Sequence, residues 1–341
     1  MQQRNAIILA AVALVAVGAA WQFGIRATPS SQMEGAAGTL VFPGLAAKLG
    51  SVVRIDIQGK GPLLGIIQAQ GKWGLADRAG FPVQQDKLRE LLTGLTELRI
   101  TEARTADPAQ YSRLGVEDPN ATGTSNLLRL LDGAGKPIAE LIVGHRRVRT
   151  QGNVPETIFV RRPGEAQSWM AEGRLPVDSD PTLWFERDIA NIAGPKVSKA
   201  TVTRGDTRLE FARNGEKFEL IAPAEHPRTD DYRIEEVSRA FETLTLTDVR
   251  PASAAPGETI GTAVHTLADG TVITTTVARA DKDIWISLAA TGDTDTAKDM
   301  NTRTQGWTYQ VGAWKEKSFI PTLDDLKASE PEKPAAPPST E

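Results

Sequence analysis

The chain has 341 residues, a formal net charge of −4, 40% hydrophobic and 24% charged residues, and no cysteine. That length allows two ordinary globular domains, and so small a charge points to neither nucleic acid nor a specially acidic partner. Without cysteine there is no disulfide, no thiolate metal site, no thiol nucleophile and no cysteine to acylate.

Ala6 to Gly24 (AIILAAVALVAVGAAWQFG) carries no charge. At about 1.5 Å per residue, a helix of that length just spans a bilayer core of about 30 Å. Ile7, Leu9, Val12, Leu14 and Val15 are its anchoring apolar positions, and Trp21 stands where an interfacial aromatic would sit. The basic residues favour a cytoplasmic N-terminus with the bulk of the chain outside. Small residues at Val17-Gly18-Ala19 and Gly18-Ala19-Ala20 also fit a cleaved signal peptide. A buried core helix is the third reading, and a terminal run that is apolar all round argues against it. Residues 1–27 are therefore expected to be an anchor or signal, and residues 28–49 a Ser/Gly/Ala/Pro-rich linker.

A first α+β unit is expected over residues 50–192. Val52, Val53, Ile55 and Ile57 start a strand, and Leu63 to Gln68 continue as a second. Gly71 to Arg104 then reads as strand, proline turn, amphipathic helix and strand. Leu88, Leu91, Leu92, Leu95 and Leu98 lie on one stripe of that helix. Asp107-Pro108 opens a short helix and Leu114-Gly115 closes it. Leu127–Leu131, Ile138–Val143 and Thr157–Val160 read as strands, with a hairpin turn at Asp132-Gly133. Between the last two strands, His145, Arg146, Arg147 and Arg149 form a basic loop. It is either a solvated surface or an anion and lipid-headgroup contact through Arg146, Arg147 and Arg149.

Residues 193–327 say the same thing again. Lys72, Leu75 and Pro82 fall on Lys217, Leu220 and Pro227 at an offset of 145 residues. One inserted residue later, Leu88, Leu91, Leu95 and Leu98 fall on Ile234, Val237, Phe241 and Leu244. Apolar period, proline and flanking strands all agree, which predicts an internal duplication. Thr229 is the expected N-cap of the second helix, with Asp230 and Asp231 in its first turn. Pro251 to Gly261 is loose where the first copy has its short capped helix. Residues 328–341 form a Pro-rich tail expected to be disordered.

No catalytic, cofactor-binding or metal-ligating set emerges. His145, His226 and His265 are not spaced as a helix-borne metal pair, and there is no nucleophile elbow, phosphate loop or dinucleotide glycine pattern. Nucleic-acid binding is not expected.

The chain resembles the family called domain of unknown function 4340. The residues that carry the likeness are Lys72-Trp73 with Leu75, the leucine helix, Tyr111…Leu114-Gly115-Val116…Asp118-Pro119, and the Leu141–Gly144 strand. Here Tyr111 is separated from Leu114, where the family has Tyr-Gly-Leu contiguous. The resemblance implies an N-terminal membrane segment, a duplicated domain, and an auxiliary role in an ABC-type transport system like those of gliding motility. The expectation is thus α+β: two tandem related domains, each an antiparallel sheet packed with an amphipathic helix, after a single transmembrane helix in the cytoplasmic membrane. The function expected is non-catalytic, an extracytoplasmic accessory or scaffold for membrane-protein partners. The alternative is an envelope polysaccharide- or lipid-binding module.

Overall fold

Strands dominate wherever the sequence alternates apolar and polar residues. The structure, a computed structural model, describes residues 38–148 and 155–328. Among these, β1 (Arg54–Gln58), β2 (Leu64–Ala69), β3 (Lys72–Leu75) and β4 (Phe81–Pro82) precede helix α1 (Gln85–Glu97) and β5 (Arg99–Ala103). Then come the short helix α2 (Tyr111–Leu114), β6 (Asn126–Leu131), β7 (Pro137–Arg147), β8 (Thr157–Arg161) and β9 (Ser168–Glu172). The chain continues with β10 (Asp188–Ala190), β11 (Val197–Arg204), β12 (Thr207–Asn214), β13 (Lys217–Ala222), α3 (Asp231–Ser238) and β14 (Leu244–Pro251). It ends with β15 (Glu258–Leu267), β16 (Val272–Ala280), β17 (Asp283–Thr291), α4 (Asp295–Thr304), β18 (Trp307–Val311), α5 (Lys315–Phe319) and α6 (Leu323–Leu326). The protein is mostly antiparallel sheet with a few helices.

The chain divides into two compact units. One is Met1–Gly71 with Gln84–Pro181, and the other is Lys72–Val83 with Thr182–Glu341. In the first, the strands run β2-β1-β6-β7-β8-β9-β5. In the second, they run β10-β14-β18-β17-β16-β15-β11-β12-β13. Read from the other edge, β12-β11-β15-β16-β17-β18-β14 repeats the first order strand for strand. In both, the helix carries the chain from one end of the sheet to the other, α1 into β5 and α3 into β14. This is a repeat-like architecture.

Burial follows the predicted stripes. Leu88, Leu91, Leu95 and Leu98 are buried, as are Ile234, Val237, Phe241 and Leu244. Each such side chain contributes about 1.5–3 kcal/mol by leaving water. Gly94 lies in the middle of α1, where glycine costs about 1 kcal/mol relative to alanine. A Cβ there would overlap the Arg174 carbonyl, so the glycine lets the helix lie against that segment.

Several local expectations shift. The segment read as linker is folded from Gly38 onward: Val41 N–H donates to Leu98 C=O, and Val41 and Leu45 are buried. The N-cap of α3 is Asp230, whose carboxylate accepts from Tyr232 N–H, one residue beyond Thr229. That helix stops at Ser238, although the apolar stripe continues to Leu244. The basic loop is in part strand, since β7 extends through Arg147 and pairs Arg146 with Ile158 and Arg147 with Thr157. Helix α4 was not expected: its buried positions are only Ala297, Met300 and Thr304, too weak a stripe to read.

Phe81 and His226, which the offset equates, behave oppositely. Phe81 is buried with its ring edge-on to Phe185 and Trp307, at centroid distances of 6.1 and 5.0 Å. Arg78 also pairs with Asp248 at 2.7 Å. These contacts tie Lys72–Val83 into the second unit. His226 is exposed, its ring nitrogen 2.8 Å from Pro227 O.

No helix among the described residues is long and apolar enough to cross a membrane. Ile7, Leu9, Val12, Leu14, Val15 and Trp21 lie outside the described residues, as do Arg149 and residues 329–341.

Candidate functional site

The motif running from Tyr111 to Asp118 is organised around a buried arginine. Asp107 caps the short helical turn by accepting from Ala109 N–H, and Gly115 ends α2 in the left-handed conformation. The Arg161 side chain reaches this turn from β8. Its Nε donates to Val116 O at 2.8 Å, its terminal nitrogen lies 2.6 Å from Asp118 Oδ1, and its guanidinium stacks 4.6 Å from the Tyr111 ring centroid. The Tyr111 hydroxyl donates to Ala166 O. Gly144 closes the arrangement, because a Cβ there would overlap the Leu114 carbonyl. Two distant pieces of the sequence pattern thus pack on each other. Their role is to satisfy a buried charge and fix a turn, since a buried guanidinium unpaired would be costly.

Beside α1 lies an open cleft of about 670 Å³. Arg146 lines it, together with Lys87, Glu90 and Arg174. Its charges are matched: Lys87–Asp178 at 2.9 Å, Arg174–Glu90 at 2.6 Å and Arg146–Glu156 at 2.9 Å. Arg146 therefore enters the cleft already neutralised. Arg147 is exposed on β7, and His145 accepts or donates a 2.9 Å bond with Thr124 Oγ1. Arg146 and Arg147, consecutive on β7, point to opposite faces of the sheet, and Arg149 lies outside the described residues.

The second unit has a cleft of about 630 Å³ beside α3, lined by Arg213, Lys217, Tyr232 and Arg239 among others. Behind α3 lie two buried titratable groups, one on the sheet and one on α5. His265, fully buried on β15, has its Nε2 at 3.2 Å from Val237 O, and its Nδ1 has no partner. Nε2 must carry the proton, because only a donor can face a carbonyl. Burial holds the imidazole down at about 4 despite that hydrogen bond. Lys315 Nζ donates to Ala240 O at 2.7 Å and to Glu242 O at 3.1 Å. Burial lowers its ammonium to about 8, against the field of Glu236 and Glu242. These two donors satisfy carbonyls in the last turn of α3 and in the turn that follows it.

No group of three or more His, Asp or Glu side chains is placed to hold a metal ion among the described residues. A family model described as "Domain of unknown function (DUF4340)" matches residues 73–262, more than half of the chain. The chain belongs to this family. The match runs from β3 into β15 and includes α1 and α3. No curated protein and no solved structure matches the chain.

Within this DUF4340 family member, the motif residues read from the sequence assemble around Arg161, which the sequence reading had passed over. The available signal was weak, because Arg161 is the first of an Arg-Arg pair that ends the apolar run Ile158 to Val160 and reads as a surface strand end. Lys315 and His265 were equally hidden, since each looks like an ordinary surface or strand residue until the fold covers it.

Proposed function

We propose that this family member is a membrane-anchored, extracytoplasmic accessory or scaffold subunit of an ABC-type transport complex, without a catalytic site of its own. The observation that carries the reading is the uncharged Ala6–Gly24 segment ahead of a two-sheet, repeat-like body. The body is built of two tandem units of related origin: the 145-residue offset in sequence and the shared strand order support a duplication. Two such units offer paired sheet and helix surfaces to membrane-protein partners. Protease treatment of spheroplasts expressing a C-terminally tagged chain tests the anchoring. The tag is expected to be digested while the protein stays in the membrane fraction; a protected tag, or a protein washed off by high salt, would overturn it.

A second reading, an envelope polysaccharide- or lipid-binding module, draws support from Arg146 in the α1 cleft and exposed Arg147. The existing Arg146–Glu156 pair weighs against a strong anion site there, because a new anion must compete with Glu156.

A further inference from the structure

Trp314 is the exposed side chain in the second unit that most needs explaining. It is 62% exposed, although tryptophan is large and apolar enough to be mostly buried in folded proteins. It is also fixed in place. The Lys315 ammonium lies 4.5 Å from the ring centroid, and that ammonium is itself held by Ala240 O and Glu242 O. The ring edge sits close against Gly312. One face is thus backed by a buried cation while the side chain remains largely bare. An indole held by such contacts and still largely exposed is a prepared surface for a ligand.

The ring borders a shallow pocket of about 290 Å³, lined also by Arg233, Glu236, Lys317 and Asp325. Arg233 donates to Asp325 O at 3.0 Å, and Lys317 pairs with Asp325 at 2.9 Å. Those groups hold one another. Glu236 is different: it makes no hydrogen bond or ion pair with a described residue, and its charge acts on Lys315. The pocket therefore offers a flat aromatic face, an acceptor carboxylate free to take a new partner, and nearby donors on Arg233 and Lys317.

We propose that this pocket binds a pyranose sugar, with the ring's C–H face stacked on Trp314 and a hydroxyl donating to Glu236. A sugar ring is apolar on its C–H faces and dense in hydroxyls around its rim. An aromatic platform beside an unpaired carboxylate matches that pattern. An acidic ligand fits less well, because Glu236 would repel it. A fatty chain would leave the Glu236 carboxylate unused. The proposal does not rest on the transport reading: a chain that captured no membrane partner could still bind sugar here, and the reverse.

The test uses the full chain in detergent micelles with N,N′-diacetylchitobiose and maltose as separate probes, read by saturation-transfer-difference NMR. At least one probe is expected to show saturation of ring C–H protons. Trp314→Ala should abolish it, and Glu236→Gln should weaken affinity about tenfold, the loss of one charge-assisted hydrogen bond. Trp314→Phe, which keeps a ring, should retain part of the signal, so that misfolding of the alanine variant cannot pass for success. Tyr232→Ala, exposed elsewhere on α3, should leave binding unchanged. No saturation with either sugar, or equal binding by Trp314→Ala, would overturn the proposal.

Discussion

His265 is the residue at which packing and titration meet. Its imidazole is neutral in the fold, with its pKa lowered from 6.5 to about 4 by burial. The unfolded chain regains the ordinary value, so between pH 6.5 and about 4 it binds more protons than the folded protein. The stabilisation is complete above pH 6.5 and is lost as pH falls toward 4, by about 3 kcal/mol in total. Urea unfolding across that window should show a falling midpoint. His265→Gln, which can still donate to Val237 O but cannot titrate, should flatten the profile. A wild-type profile as flat as the variant's would show that the imidazole is not buried. Little of this was legible beforehand. His265 sits in an alternating strand pattern that says half its residues turn inward, but not which side chain meets the end of α3. The motif from Tyr111 to Asp118 was legible as a pattern, while its reason, Arg161, lies more than forty residues away in sequence.

The elements were the most readable level. The leucine stripe of α1, the Asp107-Pro108 start, the Gly115 stop and the Asp132 turn, where the carboxylate accepts from Ala134 and Lys136 N–H, all follow from local chemistry. What local chemistry could not show was how an element ends or lies against its neighbour. His265 meets Val237 O in the last turn of α3 and Lys315 takes Ala240 O and Glu242 O just beyond it, and α4 exists with one methionine as its main apolar contact. Gly94 makes the same point in a testable way. In an isolated helix Gly→Ala stabilises by about 1 kcal/mol. Here the new methyl would collide with the Arg174 carbonyl, so Gly94→Ala should destabilise the first unit by about 1–3 kcal/mol in urea or thermal unfolding. Stabilisation instead would mean that the helix does not lie against that carbonyl.

At the scale of the whole molecule, the 145-residue offset between the two similar stretches was visible in sequence because buried helix positions tolerate only apolar side chains of similar size. The strand order adds what sequence could not, since five of the pairings, β1-β6, β9-β5, β10-β14, β14-β18 and β15-β11, join strands that are not consecutive in the chain. The exchange of Lys72–Val83 into the second unit was illegible, because Phe81 and His226 occupy matched positions yet only one meets an aromatic cluster. The role proposed above places this DUF4340 protein outside the membrane as a partner of a transport complex. The most direct test is in-cell crosslinking of the tagged full chain, affinity capture from solubilised membranes, and mass spectrometry of the captured proteins. Recovery of an ABC-type permease or its extracytoplasmic partner is expected, crosslinked through surfaces of the two sheet units. Recovery of the protein alone, under conditions that retain a known membrane complex, would contradict it.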